Sequence, residues 1–237
     1  MSSAGARRAL ACRMSHRLIP LHVGDPEAPS RHHRLALAAS AGGGVALLAA
    51  LVARLGVDEH WPIDHRVREA LRMRKQPRVR AGLRLAGTAG TVGVYAPATA
   101  VAFALVARRH GARHALPLAG AVVAAAAGSW LLKRVVRRPR PRPVSGVFNE
   151  KPGFPSGHAT RATAAGLAVA YVLVRERMAP HELALPLAAA IALATGVSRA
   201  YADAHWTTDV IGGWALGTAT AAGAALWYER EREGARA

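Results

Sequence analysis

Residues 35–53 read LALAASAGGGVALLAALVA, nineteen residues without a formal charge. At ~1.5 Å rise per residue, a helix of about 20 residues crosses the ~30 Å hydrocarbon core of a bilayer. Leu85–Ala107, Ala115–Leu132 and Val210–Tyr228 are uncharged over 23, 18 and 19 residues and read the same way. Two shorter runs, Ala162–Val174 and Leu183–Ser198, can span if their polar ends face protein instead of lipid. The sequence predicts an all-α integral membrane protein, a six-helix bundle over residues 34–228. Residues 1–33 lack the apolar core of a secretory signal and read as a disordered basic tail. Residues 229–237 read as a short charged tail.

Hydrophobic residues make up 51% of the chain but aromatics only 5%, so the apolar mass is mainly Ala, Leu, Val and Gly. A formal charge of +18 would point to nucleic acid in a soluble protein. Here the Arg residues sit mainly between the apolar runs, where lipid phosphates meet them, so the expected partner is the bilayer and not nucleic acid. Cys12 is the sole cysteine, which excludes an intrachain disulfide. Residues 58–84 place Trp61, Ile63, Val67, Leu71 and Met73 among charges, a pattern for a helix lying in the interface with Trp61 at headgroup depth. In the second span Gly87, Gly90 and Gly93 permit close helix contact, and Pro97 is placed to kink it. Gly213 and Gly217 form a GxxxG pair, most often a packing feature.

Three polar clusters interrupt this pattern: Lys133 with Arg140-Pro141, then Pro155-Ser156-Gly157-His158, then Ser198-Arg199 with His205 and Asp209. The first follows the third span, the second opens the fourth, and the third lies between the fifth and sixth. Six spans put all three on one membrane face. Lys and Arg do not decide which face: once Lys133, Arg140 and Arg199 are set aside, the two sides carry nearly equal numbers.

Each cluster has a bland reading. Lys133 and Arg140 suit a phosphate, which fixed cations stabilise and Arg grips in bidentate fashion, but a basic juxtamembrane loop also snorkels to lipid. Ser156 is a favoured N-cap, Gly157 allows close approach, and free N–H groups at a helix start attract anions; a plain turn with a solvated His158 has the same residues. His205 and Asp209 are four apart, one face of a helix. Asp209 can accept the Nδ1–H and leave Nε2 as a nucleophile, although an isolated His-x3-Asp is more often structural. Metal ligation is disfavoured because the surrounding charge is cationic. Ser198 can orient Arg199 or contact a phosphoryl oxygen.

Taken jointly, Lys133-x6-Arg140-Pro141, Pro155-Ser156-Gly157-His158 and Ser198-Arg199-x5-His205-x3-Asp209 resemble the type 2 phosphatidic acid phosphatase superfamily, which includes vanadium-dependent haloperoxidases. The three motifs match in order, and the resemblance covers roughly residues 34–228. It implies that His205 attacks phosphorus and forms a phosphohistidine, supported by Asp209. His158 would protonate the leaving group and then activate water. Lys133, Arg140, Arg199, Ser156 and the Gly157 amide would cradle the phosphoryl oxygens, with no metal and no cofactor. It also implies six helices with the site on the extracytoplasmic face of the cell membrane and both termini in the cytoplasm. Thr207 departs from the pattern, since many relatives carry Pro there, and this touches helix entry more than chemistry. Tyr201 and Asp203 are weaker candidates for substrate contact, Arg161 is a candidate headgroup contact, and His32, His33 and the remaining histidines read as solvated surface groups.

The expected activity is hydrolysis of a lipid phosphate, with a polyprenyl diphosphate such as undecaprenyl diphosphate first and phosphatidic acid or phosphatidylglycerol phosphate next. A phosphotransferase using an alcohol acceptor has the same parts. A non-catalytic lipid-binding or transport bundle needs only the cations, and the membrane spans disfavour a soluble haloperoxidase.

Overall fold

The computed structural model describes residues 30–55, 61–73, 76–141 and 151–235. The expected N-terminal tail up to residue 29, with Cys12, lies outside the described residues, as do residues 142–150 of the Pro/Arg-rich loop. The described residues form eight helices: α1 Arg31–Leu55, α2 Pro62–Met73, α3 Pro77–Thr88, α4 Val92–His110, α5 Ala112–Val136, α6 Gly157–Arg175, α7 His181–Tyr201 and α8 Thr207–Gly234. Among them α1, α5, α7 and α8 are long and apolar enough to cross a membrane, and α3 with α4 makes a fifth such span bent by 46°.

Eight helices stand where six spans and an interfacial helix were expected, because the chain breaks at two places. The amphipathic stretch 58–84 divides, and its second helix, begun by Pro77 at the first helical position, runs on toward the next span. The bend then falls at residues 89–91, not at Pro97, through which α4 continues. Thr88 Oγ1 donates to Leu85 O and Thr91 Oγ1 to Thr88 O, at 2.7 and 2.6 Å, local bonds that compete with the helical ladder at the break.

Large apolar side chains such as Leu35, Val45, Leu85, Val101, Val123, Leu131 and Leu187 lie on the outside, while the interior is dominated by Ala. One buried cluster joins Ala102, Val106, Ala115, Leu118, Ala121, Ala168, Val172, Ala221 and Ala224. Lipid solvates the outer side chains as well as a protein core would, so helices associate through small residues that let backbones approach. α6 packs against α8 most extensively, and also against α7, α5 and α4. A Cβ at Gly213 would stand 2.7 Å from Ser156 O, and one at Gly217 would stand 2.5 Å from Thr163 Cβ. The GxxxG pair therefore sets the distance between α6 and α8, as its reading as a packing feature has it.

At the end of the bundle away from the clusters, α8 continues to Gly234. Its Glu229 is buried and accepts from Arg175 Nε at 2.6 Å and from the Tyr171 hydroxyl at 2.7 Å. Glu176 accepts from Tyr228 and pairs with His110 Nε2 at 2.7 Å. His33 is half-buried, with Nε2 3.0 Å from the Tyr171 hydroxyl, so it is not the solvated group its sequence suggested.

Candidate active site

The three clusters meet at one end of the bundle, and α8 organises all of them. Asp209, fully buried in its first turn, takes part in four contacts. Its Oδ1 accepts from Arg138 Nη1 at 2.9 Å, its Oδ2 accepts from Trp206 N at 3.0 Å, and its backbone carbonyl accepts from Ser156 N at 2.8 Å. Its Oδ2 also lies 3.5 Å from His205 Nδ1. That separation is the outer edge of a hydrogen bond. His205 and Asp209 do not share a helical face as the four-residue spacing suggested. His205 lies in the turn before α8, and the carboxylate reaches back to it while capping the helix.

Arg138 was not singled out in the sequence, where it is one of five cations between Lys133 and Arg140. It is 2% exposed, and it ties together three segments. Besides Asp209, its Nη1 donates to Thr208 Oγ1 at 2.6 Å and its Nη2 to Asp64 Oδ2 at 2.7 Å. Asp64, from α2, accepts from Thr208 N at 2.8 Å and from Thr208 Oγ1 at 2.7 Å. Trp206 closes the same corner, donating from Nε1 to Pro139 O at 3.0 Å with Arg68 and Arg138 against its ring. Arg137 makes this inward turn possible. It ends α5 in the left-handed conformation, φ 47°, so that the chain reverses and Arg138 points into the bundle.

The Lys133 ammonium is committed to backbone: it donates to the carbonyls of Pro152, Gly153 and Pro155 at 3.1, 3.3 and 2.6 Å. It thereby holds the loop that delivers Ser156, while Phe154, fully buried, wedges against Gly212. Ser156 is the N-cap residue of α6, but its side chain makes no capping bond. Its buried Oγ and His205 Nδ1 have no closer hydrogen-bond partner among the described residues. The first amides of α6, at Gly157 and His158, lack intrahelical acceptors and give this end of the helix a positive pole.

Cations line the rest. Arg140 donates from Nε to Lys151 O at 3.0 Å. Arg161 faces inward, over Gly157, and donates to Gly90 O at 3.3 Å. Arg199 rests on Ser198 Oγ at 3.3 Å. Arg199, Arg161, His205 and Arg140 are the charged neighbours of half-buried His158. α3 and the break after it roof the group through glycines: a Cβ at Gly87 would stand 2.7 Å from Arg199 Nη2, and one at Gly90 would stand 2.5 Å from His158 O. Burial pushes His205 below the ordinary imidazole value; Asp209 opposes this, and Arg140 and Lys133 add to it. Burial likewise lowers Arg140, opposed by Asp209 and reinforced by Arg199.

Every candidate from the sequence except Asp203 and Tyr201 therefore converges here. Asp203 is turned to α2, where Arg68 Nε and Arg72 Nε lie 2.8 and 3.6 Å from it. The Tyr201 hydroxyl accepts from Gln76 N at 3.0 Å. Among the described residues no group of three His, Cys, Asp or Glu side chains converges on a metal position. The donor set suits an oxyanion.

Comparison with known proteins agrees with this geometry. A family model described as the PAP2 superfamily matches residues 114–233, a span holding Lys133 through Asp209. Phosphatidylglycerophosphatase B from Bacillus subtilis (strain 168) is 36% identical over 90 residues, 37% of this chain and 44% of that protein. The chain thus aligns with less than half the length of this relative. The crystal structure of a transmembrane PAP2 type phosphatidylglycerolphosphate phosphatase from Bacillus subtilis matches with a TM-score of 0.69. That match has 20% identity and covers 83% of this chain and 97% of the other, a likeness of fold. Apolar helices and this shared fold make the protein a multi-pass membrane protein.

Proposed function

The chain belongs to the PAP2 superfamily, and on that premise we propose that it is a membrane lipid phosphatase acting on a phosphate monoester at the bilayer surface. The observation that carries the reading is buried His205, backed by Asp209, at the centre of an arginine rim and beside the start of α6. His205 Nε2 attacks phosphorus, the bond to the leaving oxygen breaks, and His158 gives that oxygen its proton. Water then surrenders a proton to His158 and attacks the phosphohistidine, releasing phosphate and free His205. Arg140, Arg161 and Arg199, with Ser156 and the Gly157 amide, hold the phosphoryl oxygens as charge spreads over them. Lys133 fixes the turn that carries Ser156 and adds positive charge behind it.

The names of the relatives move phosphatidylglycerol phosphate ahead of polyprenyl diphosphate as first substrate. In this reading α6 is a sixth crossing, enclosed by its neighbours, with the site on the extracytoplasmic face and both termini in the cytoplasm. The test is phosphate release in detergent with EDTA from phosphatidylglycerol phosphate, phosphatidic acid and polyprenyl diphosphate. Wild type releases phosphate, and His205→Ala lowers the rate by at least about 10³-fold, the loss of a nucleophile. Release that survives in His205→Ala overturns the role of this histidine.

A further inference from the structure

Beyond Arg199, on the side away from His205, lies a cavity of about 180 Å³ lined by Arg80, Leu83, Arg84, Ser198, Arg199, Tyr201 and Ala202. Three arginines line it. Arg80, Arg84 and Gly87 recur at helical spacing, so the face of α3 that brings Gly87 against Arg199 also presents the two arginines to α7. Arg80 and Arg84 pair with no carboxylate among the described residues. The acidic side chain next in sequence to this lining, Asp203, is already taken by Arg68 and Arg72.

The walls are fixed. Gln76 N donates to the Tyr201 hydroxyl at 3.0 Å at one end of α3, and Thr195 Oγ1 donates to Ala86 O at 2.8 Å at the other. Held at both ends, α3 needs no backbone rearrangement to present its arginines, which favours binding of a charged group.

We propose that this cavity is a second-phosphate subsite, binding a phosphodiester of the substrate while the scissile phosphate lies on the other side of Arg199. The proposal rests on the phosphatase reading and deepens it. At ~1.5 Å per residue, Arg84 and Arg80 stand ~4.5 and ~10 Å farther along α3 than Gly87. In a diphosphate the two phosphorus atoms share one oxygen, so both stay within the reach of Arg199. A phosphodiester joined to the scissile monoester through a short polyol reaches Arg84 and Arg80. The substrate class selected is thus a lipid with two phosphates separated by a glycerol-like linker, over one with a single phosphate.

The experiment pairs binding with turnover, in neutral detergent. Calorimetric titration of glycerol 1,3-bisphosphate and of glycerol 3-phosphate into the purified full chain measures the preference for the second phosphate. Wild type binds the bisphosphate about 10- to 100-fold more tightly, the range of one or two charge-assisted hydrogen bonds. The Arg80→Ala/Arg84→Ala protein loses that preference, the Lys pair restores part of it, and Arg78→Ala, on the same helix outside the cavity, keeps it. In turnover the double variant loses kcat/KM on phosphatidylglycerol phosphate by a similar factor and keeps it on phosphatidic acid. Equal affinity of wild type for the two probes, or a loss in the double variant that is equal for both, overturns the subsite. A protein that binds with this preference but releases no phosphate from any lipid overturns the phosphatase reading and leaves the subsite standing.

Discussion

Arg138 shows how much one side chain can hold. Its guanidinium is enclosed with two carboxylates, Asp64 and Asp209, that have little water to share their charge. Breaking such a group by removing one partner costs about 3–5 kcal/mol, because the others stay buried and unpaired. Arg138→Met should therefore lower the unfolding temperature in detergent markedly and abolish phosphate release, since Asp209 loses the contact that aims it. Arg138→Lys keeps the charge but not the fork and should fall between. An Arg138→Met protein as stable as wild type would refute this account of the corner. A second expectation concerns pH. His205 is held below 6.5 by burial, and only its neutral form attacks phosphorus. The acid limb of the kcat/KM profile, where His205 takes up a proton, should therefore lie below that value, and an acid limb above 6.5 would contradict it. At this scale the convergence was legible, because Lys133, Arg140, His158, Arg199, His205 and Asp209 occur at spacings that few other demands produce. Arg138 and Asp64 were not, because nothing local separates Arg138 from its four basic neighbours, and Asp64 is remote in sequence.

Helices are positioned here by the absence of side chains. Gly213 has Ser156 O within 2.7 Å of where a Cβ would sit, and Gly90 has His158 O within 2.5 Å. Both obstacles are backbone, which cannot swing aside. Gly213→Ala should force α6 from α8, costing about 1–3 kcal/mol of stability, and should displace Ser156. Gly90→Ala should reduce kcat more than stability, since the break after α3 is short and the atoms a methyl there would displace belong to His158. Unfolding curves and steady-state kinetics on both variants separate the two effects; equal behaviour of the pair would count against the distinction. The six apolar runs indicated helices correctly, yet the break at residues 89–91 was hidden behind the stronger signal of Pro97. Proline disrupts a helix through its ring and missing N–H, whereas here the break coincides with hydroxyl bonds and with close packing on His158 that a sequence does not display.

Across the whole molecule, the end away from the site has its own polar cluster, in which Glu176 and Glu229 meet Tyr228, Tyr171, His110 and Arg175. Burial alone pushes the Glu176 carboxyl up, but hydrogen bonds from Tyr228 and His110 outweigh it and hold it below the ordinary value. A carboxyl depressed in the folded state contributes stability above its unfolded pKa and loses it as pH falls through the folded value. Acidification from pH 7 toward 4 should therefore lower the unfolding temperature of wild type more than that of Glu176→Gln; equal slopes would refute the contribution. This end was illegible beforehand, since Glu176 and Glu229 looked like loop and tail acids. The order of parts along the chain has one more consequence. Asp209 completes Arg138, Ser156 and His205, yet it belongs to the last described helix. A ribosome makes that residue after all three arginines of the rim. A chain cut off before α8 thus carries the arginines but not the means to use them, and competence arrives with α8.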